Sequence, residues 1–302
     1  MKSILTTSQT IGHTFVWLPE REGLALLSGS QMTDTAIVYV HGFWGDAETT
    51  WNDIIYYVDI LDREPFGKSD LFFFDYPAEE NILIASVKRL KRFVEAVYPN
   101  PPPALFHFDY WPSLVEPVKI FIRKPEPYKK LVLVGHSLGG VVIRRLIADE
   151  LWFLASEEDY VEDHSVLKAD VRLFAPAHLG FRPSGRMKVA WESVMLGDSL
   201  RMLAYGHRVF EDLKENSEAL LQLRRDTEEK AKLFPKLDSV RPFILWGERE
   251  GIVSPNRYDT DPPNRIGTEP GRGHTDVCKV DKEYFRAAYF VCDEKALGTT
   301  KS

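Results

Sequence analysis

Three short segments, far apart in the chain, carry residue types that together could attack a carbonyl: Gly135-His136-Ser137-Leu138-Gly139, His41-Gly42-Phe43-Trp44-Gly45 and Gly271-Arg272-Gly273-His274. In the first, Ser137 has a glycine two positions away on each side, with the apolar run Leu131 to Val134 before it and a helix-like run after it. A nucleophilic serine has to stand at the tip of a tight strand-to-helix turn, and a Cβ at Gly135 or Gly139 would collide with the neighbouring strand or the following helix. The same letters also suit a plain glycine-rich turn whose serine only caps a helix.

The second segment closes the strand-like run Ala36 to Val40. A loop in that place is needed to supply one of two backbone N–H groups to a developing oxyanion; Phe43 and Leu138 are the matching positions. His41, on the same loop and ahead of the serine, is read as a structural residue rather than a base. In chain order the acid comes next and the base last. His274, on a glycine-flanked loop near the C-terminus, has the order and setting a base requires, whereas His136 and His178 are read as structural. Arg241 to Gly247 is a further strand-then-turn unit, followed by Glu248 and Glu250. Glu250 is the preferred acid because it sits deeper in the loop, just ahead of the apolar pair Ile252 and Val253. The alternative for both is an exposed loop carboxylate.

These groups need a scaffold that brings residues 41, 137, 250 and 274 together. Strand-like runs fall near Thr14 to Trp17, Leu24 to Leu27, Ala36 to Val40, Leu71 to Phe74, Leu131 to Val134, Val171 to Phe174 and Phe243 to Trp246. Helix-like stretches over Asn81 to Val97, Gly139 to Trp152 and Tyr284 to Cys292 separate or follow the later ones. Such alternation predicts a mainly parallel sheet covered by helices on both faces, with an antiparallel edge where the first strands follow one another directly. The 302 residues are read as one domain, because the chemistry-bearing residues are spread along the chain. Residues 98 to 128, with Phe106, Phe108, Tyr110 and Trp111, exceed what the sheet needs. So do residues 181 to 240, expected to form a cap or lid insertion. Within the latter, Ser217 is an N-cap candidate for a helix with Leu220, Leu221, Leu223 and Ala231 facing inward and ended by Pro235. Upstream, Trp191, Val194, Met195, Leu200, Met202, Leu203 and Tyr205 could line a cleft or pack the insertion onto the body.

Composition narrows the partners. A net charge of -7 without any basic block argues against nucleic acid and against electrostatic attachment to anionic membranes. No apolar run reaches the roughly 18 residues of a membrane span, and Met1 to Trp17 lacks the apolar core of a signal peptide. With two cysteines, Cys278 and Cys292, thiols in a reducing compartment are expected, and the cytoplasm is the expected location.

The motifs resemble the α/β-hydrolases of the lipase and esterase branch. More narrowly, His41 to Asp46 with Thr50-Trp51, Phe74-Asp75-Tyr76-Pro77, the Ser137 turn and Ala175-Pro176-Ala177-His178-Leu179-Gly180 resemble lipase-like serine esterases related to glycosylphosphatidylinositol inositol-deacylases. The resemblance implies an α/β-hydrolase fold: a mostly parallel eight-stranded sheet with helices on both faces and a helical cap. It also implies hydrolysis of a small-molecule or lipid ester by Ser137, His274 and an acid after the seventh strand, with no metal or organic cofactor. Acyl transfer, thioester or amide hydrolysis on the same residues, or a non-catalytic receptor that keeps the fold, are the alternatives. The acid in such enzymes is usually aspartate, and here the matching position is Glu250.

Overall fold

The computed structural model describes residues 13–18, 23–30, 32–43, 45–51, 54, 66–78, 83–110, 118–156, 166–181, 212–280 and 286–292. Ten strands lie among them: β1 (His13–Trp17), β2 (Gly23–Ser28), β3 (Thr35–Val40), β4 (Ser69–Phe74), β5 (His107–Tyr110), β6 (Val118–Phe121), β7 (Lys130–His136), β8 (Asp170–Phe174), β9 (Phe243–Gly247) and β10 (Ile266–Glu269). Eight of these form one sheet in the order β1-β2-β4-β3-β7-β8-β9-β10. From β4 across to β10 every pairing is parallel, and β1 and β2 supply the expected antiparallel edge. β5 and β6 form a separate antiparallel hairpin. That hairpin and β10 fall outside the strand runs read from the sequence. Ile266-Gly267-Thr268-Glu269 has a single aliphatic residue, so its strand state comes from pairing with β9 and not from its own pattern.

Parallel strands buried on both faces are continuously apolar, which is why Ala36–Val40, Leu71–Phe74 and Leu131–Val134 could be read as strands. Four helices of seven residues or more are described: α1 (Leu83–Val97), α2 (Leu138–Ser156), α3 (Glu218–Leu233) and α4 (Arg286–Cys292). On α1, Leu83, Val87, Leu90, Val94 and Val97 repeat every three or four residues and are all buried, as an amphipathic helix against a sheet requires. Phe74 and α1's Phe93 meet at 5.0 Å on one face of the sheet, and Phe174 and α4's Phe290 at 4.9 Å on the other, so helices cover both faces. The sheet strands alternate their side chains between these faces.

Helix α3 begins as expected, with the Ser217 hydroxyl accepting from the Leu220 amide at 3.3 Å. Leu220, Leu223 and Ala231 are buried, but Leu221 is only partly so, and Thr227 takes an inward position instead. The helix is joined to α2 by the ion pair of Arg145 with Asp226 at 3.0 Å. The rest of the expected cap, with Trp191, Val194, Met195, Leu200, Met202, Leu203 and Tyr205, lies outside the described residues, as do Trp44 and Trp111. Where the chain leaves for that segment and returns from it, the Phe181 amide donates to Leu213 O at 3.0 Å, and Phe181 also bridges to Val253 of the loop carrying Glu250.

Candidate active site

Ser137 immediately follows β7 and immediately precedes α2, at the end of the sheet where the parallel strands finish. Its φ is +53°, a conformation that costs a non-glycine residue roughly 1–3 kcal/mol and persists only where the surroundings impose it. The imposing bonds are on the backbone: the Ser137 amide donates to Phe174 O at 3.0 Å, and its carbonyl accepts from Gly140 N at 3.1 Å and Ala177 N at 3.2 Å. Ala175, one residue past that Phe174 carbonyl, is also at positive φ, +40°. The glycines are explained by space. A Cβ on Gly135 would lie 2.7 Å from Gly140 N, and one on Gly139 would lie 2.1 Å from Val40 O, at the end of β3.

The loop after β3 comes against the same serine. A Cβ on Gly42 would fall 2.9 Å from Ser137 Cβ, so only glycine allows the loop to approach the turn this closely. Leu138 is the first residue of α2, where the helix leaves its leading N–H groups without intrahelical partners and its dipole favours negative charge. His41 is fully buried and holds the loop rather than facing the chemistry. The Tyr76 amide donates to its Nε2 at 3.3 Å, the Tyr76 hydroxyl donates to its carbonyl at 2.9 Å, and the two rings stack at 4.4 Å. The Phe74 to Pro77 segment thus has a job, anchoring the Gly42–Phe43 loop.

His274 and Glu250 complete a chain of side chains. His274 Nε2 lies 2.9 Å from Ser137 Oγ, and His274 Nδ1 lies 3.0 Å from Glu250 Oε2. Glu250's other oxygen accepts from the amides of Ile252 at 2.9 Å and Val253 at 3.1 Å, and its side chain is 3% exposed. Burial pushes the Glu250 carboxyl up, but the His274 ring and those two amides outweigh it, leaving the group below its ordinary value and ionised. Glu248 is exposed and its carboxylate accepts from the Gly271 amide at 2.8 Å. The two loops are also pinned to each other, with Arg249 N donating to Arg272 O at 2.8 Å and Gly247 free of a Cβ that would strike the same carbonyl at 2.6 Å.

Some residues around the site gave no chemical signal in the sequence. Arg144 of α2 grips Asp261 with one nitrogen at 2.7 and 2.8 Å, donates through Nε to His178 Nε2 at 2.7 Å, and lies 4.3 Å over the Tyr258 ring. This buried cluster ties α2, the loop after β8 and the loop after Glu250 together. Burial and the Arg144 charge hold His178 well below the usual imidazole value, so it is a neutral acceptor. An arginine seven residues after the serine was the only hint, and it is not specific. Among the described residues, no group of three or more histidine, cysteine or acidic side chains is placed to hold a metal ion, and no helix is long and apolar enough to cross a membrane.

The model of the alpha/beta hydrolase family matches residues 37–281 of the chain. No curated protein matches it. Among solved structures, phospholipase PlaB from Legionella pneumophila is similar with a TM-score of 0.54 and 12% identity, covering 88% of this chain and 59% of its own. In its complex with thio-NAD, 38% of the PlaB chain is covered, so this chain spans well under two thirds of that protein. Carboxylesterase CesB from Bacillus subtilis gives a TM-score of 0.47 and 15% identity over 94% of this chain and 93% of its own. Lipase BlEst2 from Bacillus licheniformis gives 0.46 and 13% over 86% and 91%. At 12% identity the likeness to PlaB is one of fold.

Proposed function

This chain belongs to the alpha/beta hydrolase family, and we propose that it is a serine hydrolase of carboxylic esters working through Ser137, His274 and Glu250. The observation that carries the reading is the unbroken line from Ser137 Oγ through both ring nitrogens of His274 to the buried Glu250 carboxylate, at 2.9 and 3.0 Å. Nε2 of His274 takes the serine proton as Oγ attacks the carbonyl carbon; Glu250 keeps the proton on Nδ1 and stabilises the imidazolium. The N–H groups of Phe43 and Leu138 receive the oxyanion, and His274 returns its proton to the departing alcohol. Water, deprotonated by His274, then attacks the acyl carbon, and His274 returns that proton to Ser137 Oγ as the Oγ–C bond breaks and the acid leaves. None of these steps calls for a metal or an organic cofactor.

The choice of esters, as small molecules or lipids, is supported by the likeness of the His41 to Asp46, Phe74 to Pro77 and Ala175 to Gly180 segments to lipase-like esterases related to inositol-deacylases. With two cysteines and an acidic balance, the chain suits the cytoplasm. The test is a fluorophosphonate probe together with a series of p-nitrophenyl esters of increasing chain length. The wild-type protein should label and Ser137→Ala should not. Equal labelling of the two would overturn the mechanism, and preference for the shortest esters would count against a lipase.

A further inference from the structure

We propose that His136 is a positioning residue that holds the loop carrying His274 in register with the nucleophile, a role that rests on the serine-hydrolase reading above. His136 is the last residue of β7, buried, and its Nε2 lies 2.8 Å from the backbone carbonyl of His274. A carbonyl only accepts, so Nε2 carries the proton and donates it. Burial, aided by the nearby His274, holds the His136 imidazole down to about 3, so the ring is neutral throughout the neutral pH range and Nδ1 is bare. The ring is confined on several sides: Trp51 meets it edge-on at 6.4 Å, the His274 ring lies 5.0 Å away, and a Cβ on Gly42 would be 3.2 Å from Nδ1.

Other restraints on the His274 loop include bonds within it, bonds to the acid loop and the burial of Val277 and Cys278 in the core. Asp276 accepts from the Gly273 amide at 2.9 Å, Val277 N donates to Gly273 O at 3.1 Å, and Glu250 holds the ring. Among the described residues, the nucleophile's side reaches His274 through the Ser137 hydroxyl and through His136. The first of these bonds is broken each time the serine proton is transferred, and cannot keep the geometry through the reaction. The bond from His136 takes no part in the proton transfer and persists. A neutral donor is needed there, because a cation 5 Å from the His274 ring would oppose the imidazolium formed in each cycle.

The test compares His136→Gln, which keeps an N–H at the reach of Nε2, with His136→Asn, which is too short, and His136→Phe, which keeps the ring without a donor. Steady-state kinetics on a p-nitrophenyl ester and the thermal midpoint are measured for each. The Phe and Asn variants should lose about 10–100-fold in kcat, as expected for a misplaced catalytic group, with KM within about twofold. Gln should stay within about fivefold of wild type in kcat. Should Phe fail to fold, the contrast of Gln with Asn decides. Equal losses in Gln and Asn, no loss in either, or a loss confined to KM would overturn the role. Fluorophosphonate labelling separates the two levels: a wild-type protein that does not label brings down the hydrolase reading and this inference with it. Labelling that depends on Ser137, beside His136 variants that all behave alike, brings down this inference alone.

Discussion

The two ends of the parallel sheet each hold a buried carboxylate, and they use it in opposite ways. At the start of β4, Asp70 accepts from the Ser28 amide at 2.7 Å, from Arg123 and from the Tyr128 hydroxyl, while Arg123 also donates to Ser28 O at 2.9 Å and lies 4.5 Å over the Phe106 ring. That network closes on itself and staples the segment after β6 to the sheet. At the other end Glu250 likewise accepts from several donors, but the line continues through His274 to the Ser137 hydroxyl. Backbone strain divides the same way: Ser137 and Ala175, at positive φ, flank the second network. A buried carboxylate is therefore no mark of a reactive site; what marks one is a chain of hydrogen bonds ending on a strained, exchangeable group.

Substitutions at the two ends should separate the roles, beginning with the largest effect. Ser137→Ala should lower kcat by about 10⁴–10⁶-fold on a p-nitrophenyl ester while the protein keeps its thermal midpoint. Glu250→Gln should cost about 10³–10⁴-fold, because the ring loses the carboxylate that selects its tautomer, and Glu248→Gln should stay within about threefold. A larger loss in Glu248→Gln would move the acid to the exposed position. At the far end, Arg123→Met removes the donor to Asp70 and to Ser28 O, leaves the Asp70 carboxyl to take up a proton, and should destabilise by about 1–3 kcal/mol in urea unfolding, with kcat of the folded protein unaltered. A fall in kcat without destabilisation would mean that the two ends are coupled.

The smallest effect lies in how stability depends on pH. Burial pushes the Asp70 carboxyl up to about 6 against the pull of Arg123, so its contribution is present below its ordinary value and is lost as pH rises through about 6. Glu250, lowered, contributes above its ordinary value and loses that contribution as pH falls through the carboxylate range. Urea unfolding between pH 3 and 8 should show Asp70→Asn removing a fall in stability that runs from the ordinary carboxylate value up to about 6, and Glu250→Gln removing a rise in stability with pH below the ordinary carboxylate value. Each change is bounded by about 1.4 kcal/mol per pH unit for one proton. Identical profiles for the two variants would contradict the contrast.

Legibility in the sequence followed local physics. Runs such as Leu131 to Val134 and the period of Leu83, Val87, Leu90 and Val94 announce themselves, because a strand buried on both faces and a helix buried on one must be apolar in those patterns. The Ser217 cap was legible for the same reason, being a contact three residues away. β10 and the hairpin of β5 and β6 were not, since Ile266-Gly267-Thr268-Glu269 becomes a strand only beside β9. Leu221 is partly buried, at the border between the inward and outward sides of α3, which the pattern of apolar residues alone does not place.

The amino-acid order by itself determined the strand, turn and helix around Ser137, the glycine spacing that lets them approach, the placing of His274 on a late loop, and the membership of a hydrolase fold. These depend on residue type and short spacing, which sterics and burial translate directly into local conformation. Only the tertiary structure decided that Glu250 rather than Glu248 meets His274, that His41 serves Tyr76, that Arg144 joins His178 to Asp261, and that His136 reaches a carbonyl 138 positions away. Such partners are set by which loops the sheet brings to one end, and a hydrogen bond 3 Å long leaves no trace in the sequence between its two ends.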